Sequence, residues 1–409
     1  MTVTLQGAPG RQSGPLPRRL LRRRLICGAG VPPAAKEQAG RLRHNLLRRR
    51  AQTVLACCLL AAVALQGVLY VVMAQWPQIR DPEYGFKLAR LREQLAEKPD
   101  RPLILLFGSS RSGVGLDPRQ FGADRAGDAP PLVFNFALSG AGPIRHLMLL
   151  RTLLDQQVRP RRLLLELHPL FLNQGCGALR EECRIDVHRL DRVAMETLAD
   201  YSLDPEGARR RWWEGRLLVA HGNRHELLDC LLPKLCARFP QYNIFRQINS
   251  WGWLAFPGRA KDEDGRQKLV ERARAEYRDS FPNFAVTGEP DRALHALLSL
   301  CREKGITVTI YIMPEGSEFR SWYPSGARQQ VSEYLGGLKR EYSFDLHDLT
   351  SSMPDESFAD SHHLLPEVVA RFSTRFALEV MGENEPDGTP IGRNAVAKRS
   401  PIPASGSRR

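Results

Sequence analysis

From Ala51 to Ile79 the chain carries no charged residue, and between Thr53 and Ala74 (TVLACCLLAAVALQGVLYVVMA) only Thr53 and Gln66 are polar. At 1.5 Å of rise per residue, about 20 helical residues cross a hydrocarbon core of roughly 30 Å, and helices buried in soluble cores are seldom so uniformly apolar. This run predicts one transmembrane helix over residues 51–76. Tyr70 and Trp76 stand near one end, where interfacial aromatics belong. Arg48, Arg49 and Arg50 close the other, preceded by Arg41, Arg43 and the cluster Arg18, Arg19, Arg22, Arg23, Arg24. With Arg80 the first base beyond the run, the arginine bias predicts a cytoplasmic N-terminus and a main domain outside a cytoplasmic (inner) membrane. Val72-Met73-Ala74 would suit a signal-peptide cleavage site. The long run behind a 50-residue basic leader favours an uncleaved single-pass anchor instead.

The net charge of +14 over 409 residues suggests a nucleic-acid binder until it is located. Residues 1–50 hold +11 of it and residues 383–409 hold +2, which leaves +1 for everything between. A body that near neutrality has no electrostatic footprint for phosphates, so no nucleic-acid partner is expected. The leader reads as a disordered topogenic segment whose partner is membrane lipid. Residues 383–409, rich in Pro, Gly, Ser and charge, read as a disordered tail.

Five cysteines fall in the body. Cys176/Cys183 and Cys230/Cys236 are close enough in sequence for small-loop disulfides in an oxidising space, or else are unpaired thiols, and Cys301 reads as a buried thiol on a helix face. Their spacing offers no zinc site, and no metal or organic cofactor is expected.

Short runs at 103–107 (LILLF), 132–136 (LVFNF), 163–167 (LLLEL), 306–312 (ITVTIYI) and 344–349 (FDLHDL) read as strands, most of them apolar on both faces. Amphipathic helical patterns over 144–156, 291–304, 329–339 and 366–381 alternate with them. That alternation predicts a mainly parallel sheet covered on both sides, a three-layer α/β/α sandwich over 77–382, with ligands at the carboxyl ends of the strands. Residues 173–285, rich in Trp, Arg and Leu, interrupt it as a helical insertion. Trp212, Trp213, Trp251 and Trp253 within it serve either core packing or sugar stacking.

Three pieces that could carry chemistry fall at predicted strand ends. The first is Gly108-Ser109-Ser110-Arg111-Ser112-Gly113, a glycine turn bearing hydroxyls. It fails as a phosphate loop, because Val114 follows Gly113 where a Lys is required. The second, Asn135 to Pro143, is a glycine turn opening a helix, whose amides can stabilise an oxyanion. The third is Asp360-Ser361-His362-His363, where a carboxylate three residues before a histidine can orient it as a base toward a serine hydroxyl. Each also has a plain reading: Ser110 and Asp360 as turn or cap residues, and His363, or His362 in its place, as structural. Glu166 and His168, at a strand end, read as hydrogen-bonded structural groups or as lining of a site.

In order and spacing these pieces resemble the SGNH (GDSL-like) hydrolase superfamily, from Leu103 to Met381 without the insertion. The family's Gly-Asp-Ser block is similar to Gly108-Ser109-Ser110, its second-block Gly to Gly140, and its Asp-x-x-His block to Asp360 through His363. The resemblance implies an SGNH/flavodoxin-like fold with Ser110 as nucleophile, His363 as base, Asp360 as its orienter, and the Ser110 and Gly140 amides as oxyanion donors. Two positions depart from the pattern. Ser109 stands where the family usually has Asp. The block after the third strand reads Leu165-Glu166-Leu167-His168-Pro169, without the Asn that donates a third oxyanion hydrogen bond; Asn135 and Asn173 are the candidates to replace it. The chain most resembles membrane-tethered members that act in exopolysaccharide or cell-wall acylation, such as the alginate O-acetylation and teichoic acid D-alanylation proteins. That implies an esterase or O-acyltransferase with an acyl-glycan or acyl-donor substrate and a membrane acyltransferase as partner, or a scaffold or carbohydrate-binding component that has lost part of the oxyanion site. Arg111, Glu315, Ser317 and Arg320 would then face substrate, the last three from the loop Met313 to Arg320.

Overall fold

The computed structural model describes residues 33–122, 130–173, 181–232, 241–256, 258, 260, 262–282 and 284–382. They fall into two compact units, one ending at Val63 and one beginning at Ala64. In the first, the described residues belong to helix α1 (Pro33–Gln75). Its stretch Arg41–Gln75 is long and apolar enough to cross a membrane. The anchor was expected at 51–76 behind a disordered leader, yet residues 33–50 are helical too. Their Ala, Leu, Arg and Gln content has high helix propensity, which composition read as disorder concealed. Residues 1–32 and the tail 383–409 lie outside the described residues.

The second unit is α/β. After α2 (Pro77–Arg80) and α3 (Pro82–Glu97) come β1 (Leu103–Phe107), α4 (Ser110–Gly115), β2 (Leu132–Asn135), α5 (Pro143–Asp155) and β3 (Arg162–Glu166). The insertion supplies α6 (Glu181–Arg184), α7 (Arg192–Tyr201), α8 (Pro205–Leu217), α9 (Val219–Gly222), α10 (Arg224–Leu231), α11 (Gln241–Phe245) and α12 (Glu263–Tyr277). Then follow α13 (Glu289–Lys304), β4 (Thr307–Ile312), α14 (Ser317–Ser321), α15 (Ala327–Tyr342), β5 (Asp345–Asp348) and α16 (Pro366–Met381). An antiparallel bridge between Asn173 and Val286 closes the insertion at its base, at the limits that the interrupted alternation marks.

The five strands form one parallel sheet in the order β2-β1-β3-β4-β5. Successive residues of a strand point to opposite faces, and here they divide between two apolar clusters. Leu103, Leu105 and Phe107 join Leu163 and Leu165 in one cluster, with residues of α5, α13 and α15; Ile104, Leu106, Leu164 and Tyr311 join the other, with Val369, Phe372, Phe376 and Val380 of α16. Burying a residue such as Phe376, 1% exposed, contributes about 1.5–3 kcal/mol. The chain leaves β1 toward β2 on one side and returns to β3 on the other. The crevice at the carboxyl ends of β1 and β3 is therefore the topological switch point, where α/β sheets place ligands.

Candidate active site

At the end of β1 the chain turns through Gly108 and Ser109 into α4. The Ser109 hydroxyl caps that helix by accepting from the Arg111 amide at 3.2 Å, and Ser110 is its first residue. A second turn, after β5, runs through Asp360 to His363. His363 Nε2 lies 2.9 Å from Ser110 Oγ, and His363 Nδ1 lies 2.8 Å from Asp360 Oδ2. Asp360 Oδ1 also accepts from the backbone amides of His363 (2.8 Å) and His362 (3.2 Å), which fixes the carboxylate against the ring it orients. Ser110, His363 and Asp360, chosen from sequence by order and spacing, thus form one connected chain of hydrogen bonds. Burial works against the Asp360 charge, but His363 and His362 outweigh it and hold the carboxyl below the usual range.

His362 does not exchange roles with His363. It is buried, burial and the neighbouring His363 push its pKa down to about 3, and its ring stacks on Phe319 at 5.1 Å. Ser361, between Asp360 and His362, adopts φ +71°, and its carbonyl and hydroxyl accept from the amides of Gly316 (2.8 Å) and Phe319 (3.1 Å). A Cβ at Gly316 would sit 2.5 Å from Ser361 Oγ, so this approach of the β4 loop to the histidine turn requires glycine. Asp360, His362 and His363 each offer a metal-ligand atom within 4.8 Å of one another. Both His363 nitrogens are already engaged, so an ion bound there would displace Ser110 or Asp360.

Beneath the Gly108–Ser110 turn lies a buried ionic cluster. Glu166, at the end of β3, accepts from Ser109 N (2.8 Å), Ser109 Oγ (3.0 Å) and Ser112 Oγ (2.6 Å), and pairs with Arg111 Nε at 3.2 Å. Arg111 also donates to Glu315 Oε1 (2.9 Å) and to the Met313 carbonyl (3.0 Å). Glu315 accepts further from Tyr323 and Arg328. Burial disfavours the Arg111 charge, and Glu166 and Glu315 more than offset that. The substrate-facing roles expected of Arg111 and Glu315 are corrected here: each side chain is 1% exposed and fixed by partners, supporting the turn from below. Ser317 is exposed but bonded to Asp355 through its amide and hydroxyl, and Arg320 bonds the Glu315 carbonyl. Ser109 has a reason as well. An Asp there would put a second carboxylate in hydrogen-bonding reach of Glu166.

Gly140 has φ +68°, and a Cβ on it would lie 3.2 Å from the Arg184 guanidinium of α6. Glu181, in the same short helix, is buried and accepts from the amides of Gly142 (2.7 Å), Ile144 (2.9 Å) and Arg145 (2.7 Å), closing the N-terminus of α5. Burial pushes its carboxyl up to about 7 against the pull of those bonds. Arg184 Nη2 bonds Glu276 at 3.1 Å, while its Nη1 is buried with no hydrogen-bond partner among the described residues. The candidates for the missing Asn are occupied elsewhere. Asn135 Nδ2 donates to the Ser112 (2.9 Å) and Leu116 (2.7 Å) carbonyls, and Asn173 Nδ2 to that of Ser280 (2.9 Å).

Around the histidine the insertion contributes Phe256, stacked on His363 at 4.7 Å and 14°, and Tyr277, edge-on to His362 at 5.3 Å. His168 is buried in the same aromatic group, with Nδ1 accepting from the Leu170 amide, and burial pushes its pKa well down. Of the tryptophans, Trp212 is core, Trp251 and Trp253 are half-buried, and Trp213 is open to solvent. Cys301 is buried on α13, while Cys176 and Cys236 lie outside the described residues. Comparison with protein-family models and with curated proteins finds no match for this chain.

Proposed function

We propose that the chain is a membrane-anchored serine esterase or O-acyltransferase of SGNH-like fold, acting outside the cytoplasm on acyl esters of a cell-envelope or secreted glycan. The observation that carries this reading is the hydrogen-bonded series Ser110–His363–Asp360 at the switch point of the sheet. Two apolar clusters, one for each face of the sheet, support the three-layer α/β/α arrangement. The arginine-rich flank of α1 supports a cytoplasmic N-terminus.

In this mechanism His363 Nε2 takes the Ser110 proton as Oγ attacks the ester carbonyl, and Asp360 stabilises the imidazolium and fixes its tautomer. The carbonyl–oxygen bond to the leaving alcohol then breaks, His363 returns the proton to that oxygen, and the acyl group stays on Ser110. Water or a sugar hydroxyl, deprotonated by the same histidine, releases it. The Ser110 amide, first in α4 and without an intrahelical acceptor, and the Gly140 amide would bind the oxyanion. The Arg184 guanidinium beside Gly140 would take the part of the absent Asn. A membrane acyltransferase supplying the acyl donor fits the anchored topology. Treating the full chain in detergent with a fluorophosphonate tests this, with intact-mass and peptide mapping as readout. One adduct on Ser110, absent from Ser110→Ala, is expected. An unreactive Ser110 would favour the scaffold reading.

A further inference from the structure

Beyond α1 and Trp76, most of the large apolar side chains exposed among the described residues lie in one stretch of the insertion, the others being Leu203 and Leu378. Trp213, Leu217, Leu218, Leu228, Leu231 and Leu232 all stand open, with Leu217 and Leu231 each 70% exposed. Exposed apolar residues scattered singly are ordinary, but a group of this size on α8, α10 and the residues that cap their C-termini, with α9 between them, marks a surface that something covers.

The same segment adjoins the apolar helix. Gln66, the only amide side chain between Thr53 and Ala74, accepts a hydrogen bond from Ala220 N at 3.2 Å. Ala220 is the second residue of α9, where helix amides lack intrahelical acceptors. Met73, about two turns further along α1, is 3% exposed, so the body seats against the last turns of that helix. Gln66 precedes Trp76 by ten residues, about 15 Å of helix. With Trp76 at the membrane surface, the α8–α10 segment reaches acyl-chain depth beside α1. An unpaired polar group there is costly, and the bond satisfies the Ala220 N–H and the Gln66 carbonyl oxygen. Arg209 and Arg210 precede Trp213 and Leu217 on α8, and Arg224 precedes Leu228 and Leu231 on α10. Such a mixture of Arg, Trp and Leu is that of an interfacial segment, its long basic side chains reaching headgroups.

The geometry points to a membrane-docking surface on α8 to α10, occupied by the acyl chains and headgroups of the leaflet on the main-domain side. This holds the crevice of Ser110 in a fixed attitude to the bilayer. It rests on the reading of α1 as a membrane anchor but not on the esterase reading.

The test uses the full purified chain reconstituted in phosphatidylcholine/phosphatidylglycerol vesicles containing a phosphatidylcholine with an acyl-chain diazirine, photolysed and mapped by peptide mass spectrometry. Adducts are expected in α1 and in residues 213–232, and not in α12, whose exposed face is polar and charged. A Leu217→Glu, Leu231→Glu variant should lose the 213–232 adducts while keeping those of α1. Adducts confined to α1 would overturn the docking surface alone and assign the patch to a protein partner. Labelling of α12 equal to that of 213–232 would also overturn it. Absence of adducts from α1 would overturn the anchor, and the docking surface with it.

Discussion

Glu166→Gln perturbs the support of the Gly108–Ser110 turn while leaving every group of the proposed triad in place. The carboxylate receives Ser109 N, Ser109 Oγ and Ser112 Oγ at 2.6–3.0 Å and stands 3.2 Å from Arg111 Nε, all of it buried. Hydrogen bonds to a charged acceptor contribute about 1.5–3 kcal/mol each, but they are not additive within one network. The better guide is the cost of removing one member of a buried ion pair, about 3–5 kcal/mol, because the remaining charge is left without compensation. Glutamine keeps one acceptor oxygen, and its NH2 faces donors. The serine hydroxyls can rotate to accept, whereas the Ser109 amide cannot. Glu166→Gln should therefore lose about 3–5 kcal/mol of unfolding free energy, read from urea denaturation of the full chain in detergent micelles by tryptophan fluorescence. Arg111→Met added to it should restore part of the loss, since the orphaned guanidinium is then gone. A loss under about 1 kcal/mol, or additivity of the two substitutions within about 0.5 kcal/mol, would refute the account of Glu166 as the acceptor on which the turn is built.

Three further outcomes are expected. Asp360→Asn should lower kcat by about 10²–10⁴-fold, because the His363 tautomer and imidazolium lose their partner. The Asp360 carboxyl lies below its unfolded value in the fold, so its stabilisation is present above about pH 4 and disappears as pH falls through the folded value. Wild type and variant should accordingly converge in stability in strong acid. Arg184→Gln should lower kcat by about 10²-fold with KM little changed if the guanidinium serves the oxyanion, and steady-state kinetics on an acyl ester would separate this from lost binding, which raises KM alone. Lys87 is 2% exposed, and burial lowers its pKa to about 8. The unfolded chain holds that proton up to about 10.4, so this group makes stability rise with pH between the two values. Lys87→Met should flatten that rise in urea midpoints taken at pH 7 and pH 10.

The first four strands were legible because strands buried on both faces leave continuous apolar runs: Leu103–Phe107 matches its run to the residue, and the others differ by one residue at one or both ends, as does β5, which is only partly buried. The meeting of Ser110 with Asp360 and His363 was legible in part: Ser110 follows the end of β1 directly, whereas Asp360 and His363 stand in the loop between β5 and α16, 12 and 15 residues past the strand, and were marked by their own spacing. Arg111 and Glu315 were misjudged because a charged residue in a site-bordering loop looks the same from sequence whether it faces substrate or a buried counter-charge. Glu181, Arg184, Phe256 and Tyr277 carried no signal. They come from the insertion, whose helices have no spacing that ties them to the Gly140 and His363 turns, and only the folded chain brings them there. The helical stretch 33–50 was hidden because its arginines, so informative about topology, are also good helix formers.

The most direct test of the central claim is turnover of p-nitrophenyl acetate by the full chain in detergent, beside Ser110→Ala and His363→Ala. The account predicts that either substitution lowers kcat by at least about 10³-fold, and that the two together cost little more than one, as expected of groups acting as a unit. Wild-type turnover equal to that of Ser110→Ala would contradict it.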